Sequence, residues 1–168
     1  METLKLLPLG LVDRRLCLML ARAIRKKFGC RVRVAKRVER LDAAYRHSCG
    51  QYSVDRLLRL LAGYREPPNI ERVLAVTLDQ LFDKSQDVIA GYAHFRSRVG
   101  VVSLSHLVGA KLRRRMVVTA FHELAHMYGL THCKNDCLMR WRESSNEKFG
   151  LPSHFCRKCA RQLREVRG

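Results

Sequence analysis

The most constraining stretch of this 168-residue chain is eleven residues long. It reads His122-Glu123-Leu124-Ala125-His126-Met127-Tyr128-Gly129-Leu130-Thr131-His132. Residues four apart stack on one helix face, so His122 and His126 can reach a single metal ion. Glu123 lies one step round and projects beside that ion. Two imidazoles that fix a metal and a carboxylate that takes a proton from its water form the spacing of a zinc hydrolase. For His132 to join them the helix must stop and the chain must turn sharply. Gly129 meets that need, because glycine enters the left-handed region without a Cβ penalty. The opposite helix face offers Val117, Ala120, Leu124 and Met127 as a stripe to dock on a sheet. Met139, seven residues past His132, can return beneath the site as an apolar floor. A short motif alone is equally compatible with ordinary histidines on an amphipathic helix; the added Gly129 and His132 favour chemistry.

A second set follows at once. Cys133, Cys137, Cys156 and Cys159 fall within 27 residues, spaced Cys-x3-Cys and Cys-x2-Cys. Four thiolates at such spacing form a closed tetrahedral zinc site, against the alternatives of buried free thiols or a redox pair. From about residue 130 the sequence shows no period, so this site would supply folding energy that a core does not. Seven cysteines is an odd count, and Leu6–Val12 lacks the features of a secretory leader. Both favour a reducing compartment, the cytoplasm, over a disulfide framework.

The rest of the chain alternates strand and helix signals. Strands are expected at Leu4–Leu9, Arg31–Val34, Val73–Leu78 and Val99–Leu104, with a short run at Gly91–Phe95. Asp13 caps a helix to Phe28 that Gly29 stops, and Ser53 caps a second containing Leu57, Leu58, Leu60 and Leu61. A third runs from near His106 to Tyr128, and a short fourth begins near Arg157. Residues 42–52 show no clear period. The order predicts an α/β domain with helices on a mixed sheet. One domain spans 1–168, an α/β part over 1–129 and a metal-rich part over 130–168. No apolar run approaches the roughly 20 residues of a membrane span.

The histidine string followed by a Met resembles the metzincin clan of zinc peptidases. Fused to the four cysteines, it is similar to the archaemetzincin family. One departure is in spacing: three residues separate the first two cysteines and sixteen separate Met139 from Cys156, where the family pattern often has four and seventeen. The resemblance implies a metzincin-like mixed sheet with an antiparallel edge strand, near Gly91–Phe95, along which an extended peptide lies. It also implies a monomeric peptidase with two zinc ions, one catalytic on His122, His126 and His132 and one structural on the four cysteines. Glu123 would be the general base.

Charge supports a competing reading. With 33 Lys+Arg against 15 Asp+Glu the net charge is +18, and residues 1–40 hold 12 basic and 3 acidic groups. A non-catalytic zinc module that binds nucleic acid or another acidic partner would use that charge. Against it stand a 7% aromatic content, no recognition helix, and a Glu beside an open three-histidine set. A metallopeptidase scaffold with a blocked cleft is a third possibility. His47, His94 and His154 lack ligand spacing and read as surface residues. Thr119 either lines the cleft or packs. Trp141 would pack on the metal loop, and Arg113-Arg114-Arg115 cannot share one helix face. No amine-binding carboxylate is recognisable, so aminopeptidase and endopeptidase action stay open.

Overall fold

The computed structural model describes residues 2–66, 69–85, 87–105, 112–140 and 152–167. Five strands form the main sheet: β1 (Thr3–Leu9), β2 (Arg31–Val34), β5 (Arg72–Thr77), β8 (Gly91–Ala93) and β9 (Val99–Ser103). Their spatial order is β2-β1-β5-β9-β8. The first four run parallel, and β8 closes the edge antiparallel to β9, with Gly91 opposite Val102 and Ala93 opposite Gly100. The mixed sheet with an antiparallel edge strand is thus present, and the strand lies in the expected run.

Alternation along the central strands distributes their side chains between two cores. Leu4, Leu6, Leu74, Val76 and Val102 face helices α1 (Arg14–Phe28) and α3 (Leu112–Met127). Leu7, Leu9, Val73, Ala75 and Val101 face helix α2 (Val54–Ala62). Helices on both faces explain why β5 is buried at all six positions, as parallel strands usually are.

Local signals act as expected at α1. Asp13 accepts from the Arg15 amide at 2.7 Å, and Gly29 ends the helix at φ 60°. At α2 the expectation is half met: Ser53 is the cap residue, but its side chain makes no capping bond. Its conformation is set instead by strand pairing with Phe82. That pairing belongs to a small second sheet the aperiodic stretch did not reveal, β3 (Tyr45–Arg46), β4 (Gln51–Ser53), β6 (Gln80–Phe82) and β7 (Val88–Ile89), ordered β3-β4-β6-β7. Strands of two or three residues are too short to show a period.

Two expectations about the helices change. α3 is buried on nearly every side from Val118 to Ala125, rather than on one stripe. It lies between the sheet and α1, where Phe28 meets Phe121 edge-on at 5.5 Å and stacks on Tyr128 at 5.7 Å. The C-terminal part is also less coreless than its sequence suggests. Leu138, Met139 and, from helix α4 (Arg157–Arg167), Cys159 and Leu163 belong to the same buried cluster as α1 and α3. The expectations for His106 and Trp141 fall outside the described residues.

Candidate metal centre and cleft

The last turn of α3 is where the sequence motif becomes geometry. Gly129 has φ 90°; its amide donates to the His126 carbonyl and the Leu130 amide to the Ala125 carbonyl, both at 2.9 Å. This pair of bonds reverses the chain at the helix end. It returns Leu130 so that its carbonyl meets His126 Nδ1 at 2.8 Å, and it carries His132 back to the helix. His122 Nδ1 meets the Leu138 carbonyl at 2.9 Å. A carbonyl only accepts, so both Nδ1 atoms carry the proton and both Nε2 atoms present lone pairs. Those two Nε2 atoms lie 3.0 Å apart. One ligand nitrogen each from His122, His126 and His132 falls within 4.8 Å of the others. Convergent lone pairs repel unless a cation sits between them, so this donor set fits a zinc ion, and the carbonyl partners fit the usual orientation of zinc-bound imidazole. Met139 is fully buried, and its turn meets the histidines through the Leu138 carbonyl, which pairs with His122 Nδ1.

Glu123 is 2% exposed. It sits where α3 comes closest to β8. A β-carbon at Gly91 would lie 2.9 Å from Glu123 Cγ, 3.0 Å from Thr119 Cγ2 and 3.1 Å from Glu123 Oε1. Only glycine leaves that space for the carboxylate. Thr119 is therefore a packing residue against Gly91. A cleft of about 430 Å³ opens in front of Glu123, His126 and His132. Edge strand β8 and the residues after it form one wall, with Tyr92, Ala93, His94 and Phe95; Asp83 and Ile89 close another side. His94 is on the surface, as expected, yet it lines this cleft. Burial pushes the Tyr92 hydroxyl up, and the charges of Asp55, Asp83 and Glu123 add to the shift.

Two arginines that sequence reasoning did not single out complete the helix end. Arg72 Nη1 donates to the Met127 and Ser97 carbonyls, both at 2.9 Å, and the Arg96 amide donates to the His126 carbonyl at 2.9 Å. Arg72 also pairs with Glu2 and lies 4.3 Å from the ring centre of Tyr128, whose hydroxyl donates to Glu2 at 2.9 Å. Carbonyls left over at a helix C-terminus favour a nearby cation. The expected strand began at Val73, so Arg72 read as a basic residue in front of it, which did not reveal this contact.

The four cysteines form a second cluster, with their sulfurs within 4.8 Å of one another. None is in a disulfide. Backbone amides aim at the sulfurs: Met139 to Cys137 at 3.4 Å, Cys156 to Cys137 at 3.3 Å and Asn135 to Cys133 at 3.5 Å. Such donors stabilise thiolates. The Cys156 thiol is lowered to about 6, chiefly by the Asn135 side chain, while burial pushes Cys137 and Cys159 up. Four tightly grouped thiols with inward N–H donors fit a closed tetrahedral metal site.

A parallel sheet with an antiparallel edge, and a helix whose end folds a third histidine onto its first two, define the class of metzincin-like zinc metallopeptidases. The family model for Peptidase family M54 matches residues 11–165. The archaemetzincin of Archaeoglobus fulgidus is 32% identical over 149 residues, covering 87% of this chain and 89% of that protein. The archaemetzincin of Methanopyrus kandleri is 32% identical over 132 residues, covering 76% and 74%. The crystal structure of the A. fulgidus protein, complexed with malonate, superposes with a TM-score of 0.82 at 31% identity, covering 96% of this chain and 99% of that one. That of the M. kandleri protein gives 0.83 at 28%, covering 98% and 94%. The chain belongs to peptidase family M54, the archaemetzincins, and is a zinc metallopeptidase. Among the described residues no helix is long and apolar enough to cross a membrane.

Proposed function

We propose that this chain hydrolyses peptide bonds with a zinc ion held by His122, His126 and His132 and with Glu123 as general base. The observation that carries the reading is the pair of Nε2 atoms 3.0 Å apart, with Glu123 on the wall of the same cleft. When bound, zinc supplies Lewis acidity, which acidifies a water and polarises the scissile carbonyl. Glu123 accepts the proton of the attacking water and delivers it to the leaving amine. Its burial keeps bulk water from competing for that proton, and Gly91 keeps its carboxylate in place. The exposed edge of β8 pairs with an extended substrate backbone, a mode of binding that adds a strand to a sheet.

A second zinc ion, on Cys133, Cys137, Cys156 and Cys159, is structural in this reading. It ties the segment carrying His132 and Met139 to the start of α4. The chain works as a monomeric single domain over 1–168, its metal-rich part running over 130–168, in a reducing compartment such as the cytoplasm.

The test compares wild type and Glu123→Ala, both zinc-loaded, in a peptide-library digest. Cleavage should fall by about 10²- to 10⁴-fold while zinc content holds. Equal cleavage by the variant would refute the assignment.

A further inference from the structure

The cleft holds a carboxylate that the hydrolytic machinery does not use. Asp83 lies on the turn between β6 and β7 and lines the same cavity as Glu123, His126 and His132. Its Oδ1 accepts from the Ser85 amide at 2.9 Å, the Ser85 hydroxyl at 2.6 Å and the Asp87 amide at 3.3 Å. These bonds fix the side chain and engage one oxygen; Oδ2 has no partner among the described residues. Nor does Asp83 take part in any ion pair among them. The adjacent Lys84 turns to Asp55 instead, at 3.6 Å.

Arg46, Arg56 and Lys84 line the neighbouring hollow on the other side of Asp83, and none of them forms an ion pair with it among the described residues. Tyr92 on the same wall is raised by burial first and then by the charges of Asp55, Asp83 and Glu123. The neighbouring walls are apolar or aromatic, from Ile89, Tyr92 and Phe95. A pocket with apolar sides and, apart from Glu123, a carboxylate held by its own turn suits a nitrogen cation on an aliphatic stem.

Building on the peptidase reading, we propose that Asp83 is a specificity residue that receives a cationic nitrogen of the peptide substrate beside the scissile bond. Two sources share that chemistry, a Lys or Arg side chain and the α-ammonium of a free N-terminus. Burying either beside a fixed carboxylate gives a charge-assisted hydrogen bond, and a neutral counterpart leaves the carboxylate desolvated with nothing in return.

The decisive variant is Asp83→Asn. Its amide oxygen can accept the same three turn bonds, so the loop is kept and only the charge is lost. Zinc-loaded full chain is given peptide pairs that differ by Lys against Met at one position flanking the bond, each with a free or an acetylated N-terminus. Cleavage rates are measured. Affinities for the same peptides are measured by fluorescence anisotropy on Glu123→Gln and on Glu123→Gln/Asp83→Asn. We expect wild type to prefer the cationic member about tenfold, Asp83→Asn to erase the preference, and Asp83→Lys to invert it. Preference tied to Lys identifies the side chain as the source, and preference tied to the free N-terminus identifies the α-ammonium. Cleavage with ratios unchanged by Asp83→Asn overturns the proposal and leaves the peptidase reading intact. Charge-selective binding that Asp83→Asn abolishes, with no peptide cleaved by wild type, upholds Asp83 and sinks the peptidase reading. Loss of both refutes both.

Discussion

The three histidines and the four cysteines are neighbours in sequence, since Cys133 follows His132 directly, yet they are built in opposite ways. Two histidines sit on one turn of a buried helix, and carbonyl oxygens take their outer protons. The cysteines come from an irregular loop and the start of α4, and amide N–H groups point at their sulfurs. Carbonyl partners leave neutral imidazoles whose lone pairs converge at Nε2; amide partners favour thiolates. The histidine cluster opens on a cleft and has a carboxylate beside it. The cysteine cluster gathers four sulfurs, with two of the residues, Cys137 and Cys159, fully or nearly buried. The contrast teaches that local hydrogen-bond polarity, more than ligand type alone, separates a centre suited to chemistry from one suited to cross-linking.

The largest break should come at the cysteines. Replacing Cys156 and Cys159 by Ser removes half the thiolate shell and the link between α4 and the loop. Metal binding at such a site is folding energy, so the melting temperature should fall by about 10 °C or more by calorimetry. An unchanged melting temperature would mean that packing of Leu138, Met139 and Leu163 holds the tail by itself.

At the histidine centre the sharpest probe avoids the ligands. Gly91→Ala places a methyl against Glu123 Cγ and Thr119 Cγ2. The carboxylate must shift, and a displacement approaching an ångström costs about 10²-fold in turnover. Zinc content and KM should hold while kcat falls and the acidic limb of the pH profile moves. A proportional loss of zinc would show that Gly91 acts on the whole centre. Relieving the clash with Gly91→Ala/Thr119→Ser should recover part of the rate.

A smaller effect is expected at the brace beneath that helix. Arg72→Leu strands Glu2 and the hydroxyl of Tyr128 and frees the Met127 carbonyl. The Glu2 side chain is 20% exposed, so the loss should be about 2 kcal/mol by denaturant titration, less than for a sealed pair. Tyr128 itself gives the smallest change. Burial first, then nearby negative charge, raises its pKa in the folded state. A raised phenol contributes stability that is intact below the unfolded value near 10 and lost as pH climbs beyond it. Tyr128→Phe should flatten that alkaline decline at a cost of about 1 kcal/mol near neutral pH.

Much of this molecule was legible in its sequence, for identifiable reasons. The Asp13 cap, the Gly29 and Gly129 stops and the alternation of Arg31–Val34 are local, and each behaves as its chemistry requires. The grouping of three histidines and of four cysteines was legible because ligand geometry would impose such spacings. Long-range partnerships were not. Glu2 and Tyr128 are 126 residues apart, and nothing near either announces the other. The small second sheet escaped because its strands are too short, and Ser53 takes the expected cap position without the cap bond because it also pairs in β4. Asp83 escaped because a carboxylate in a loop looks the same whether it faces solvent or a cleft. The basic surface, prominent in composition, belongs to a peptidase family and is not what defines the site.

Counting zinc by native mass spectrometry before and after brief chelation separates the two proposed zinc sites and their unlike roles. Two ions per chain are expected, with rapid loss of the one at the open histidine centre together with peptidase activity, and retention of the other with the fold intact. One ion in the untreated chain, or simultaneous loss of both, would contradict two sites with unlike roles.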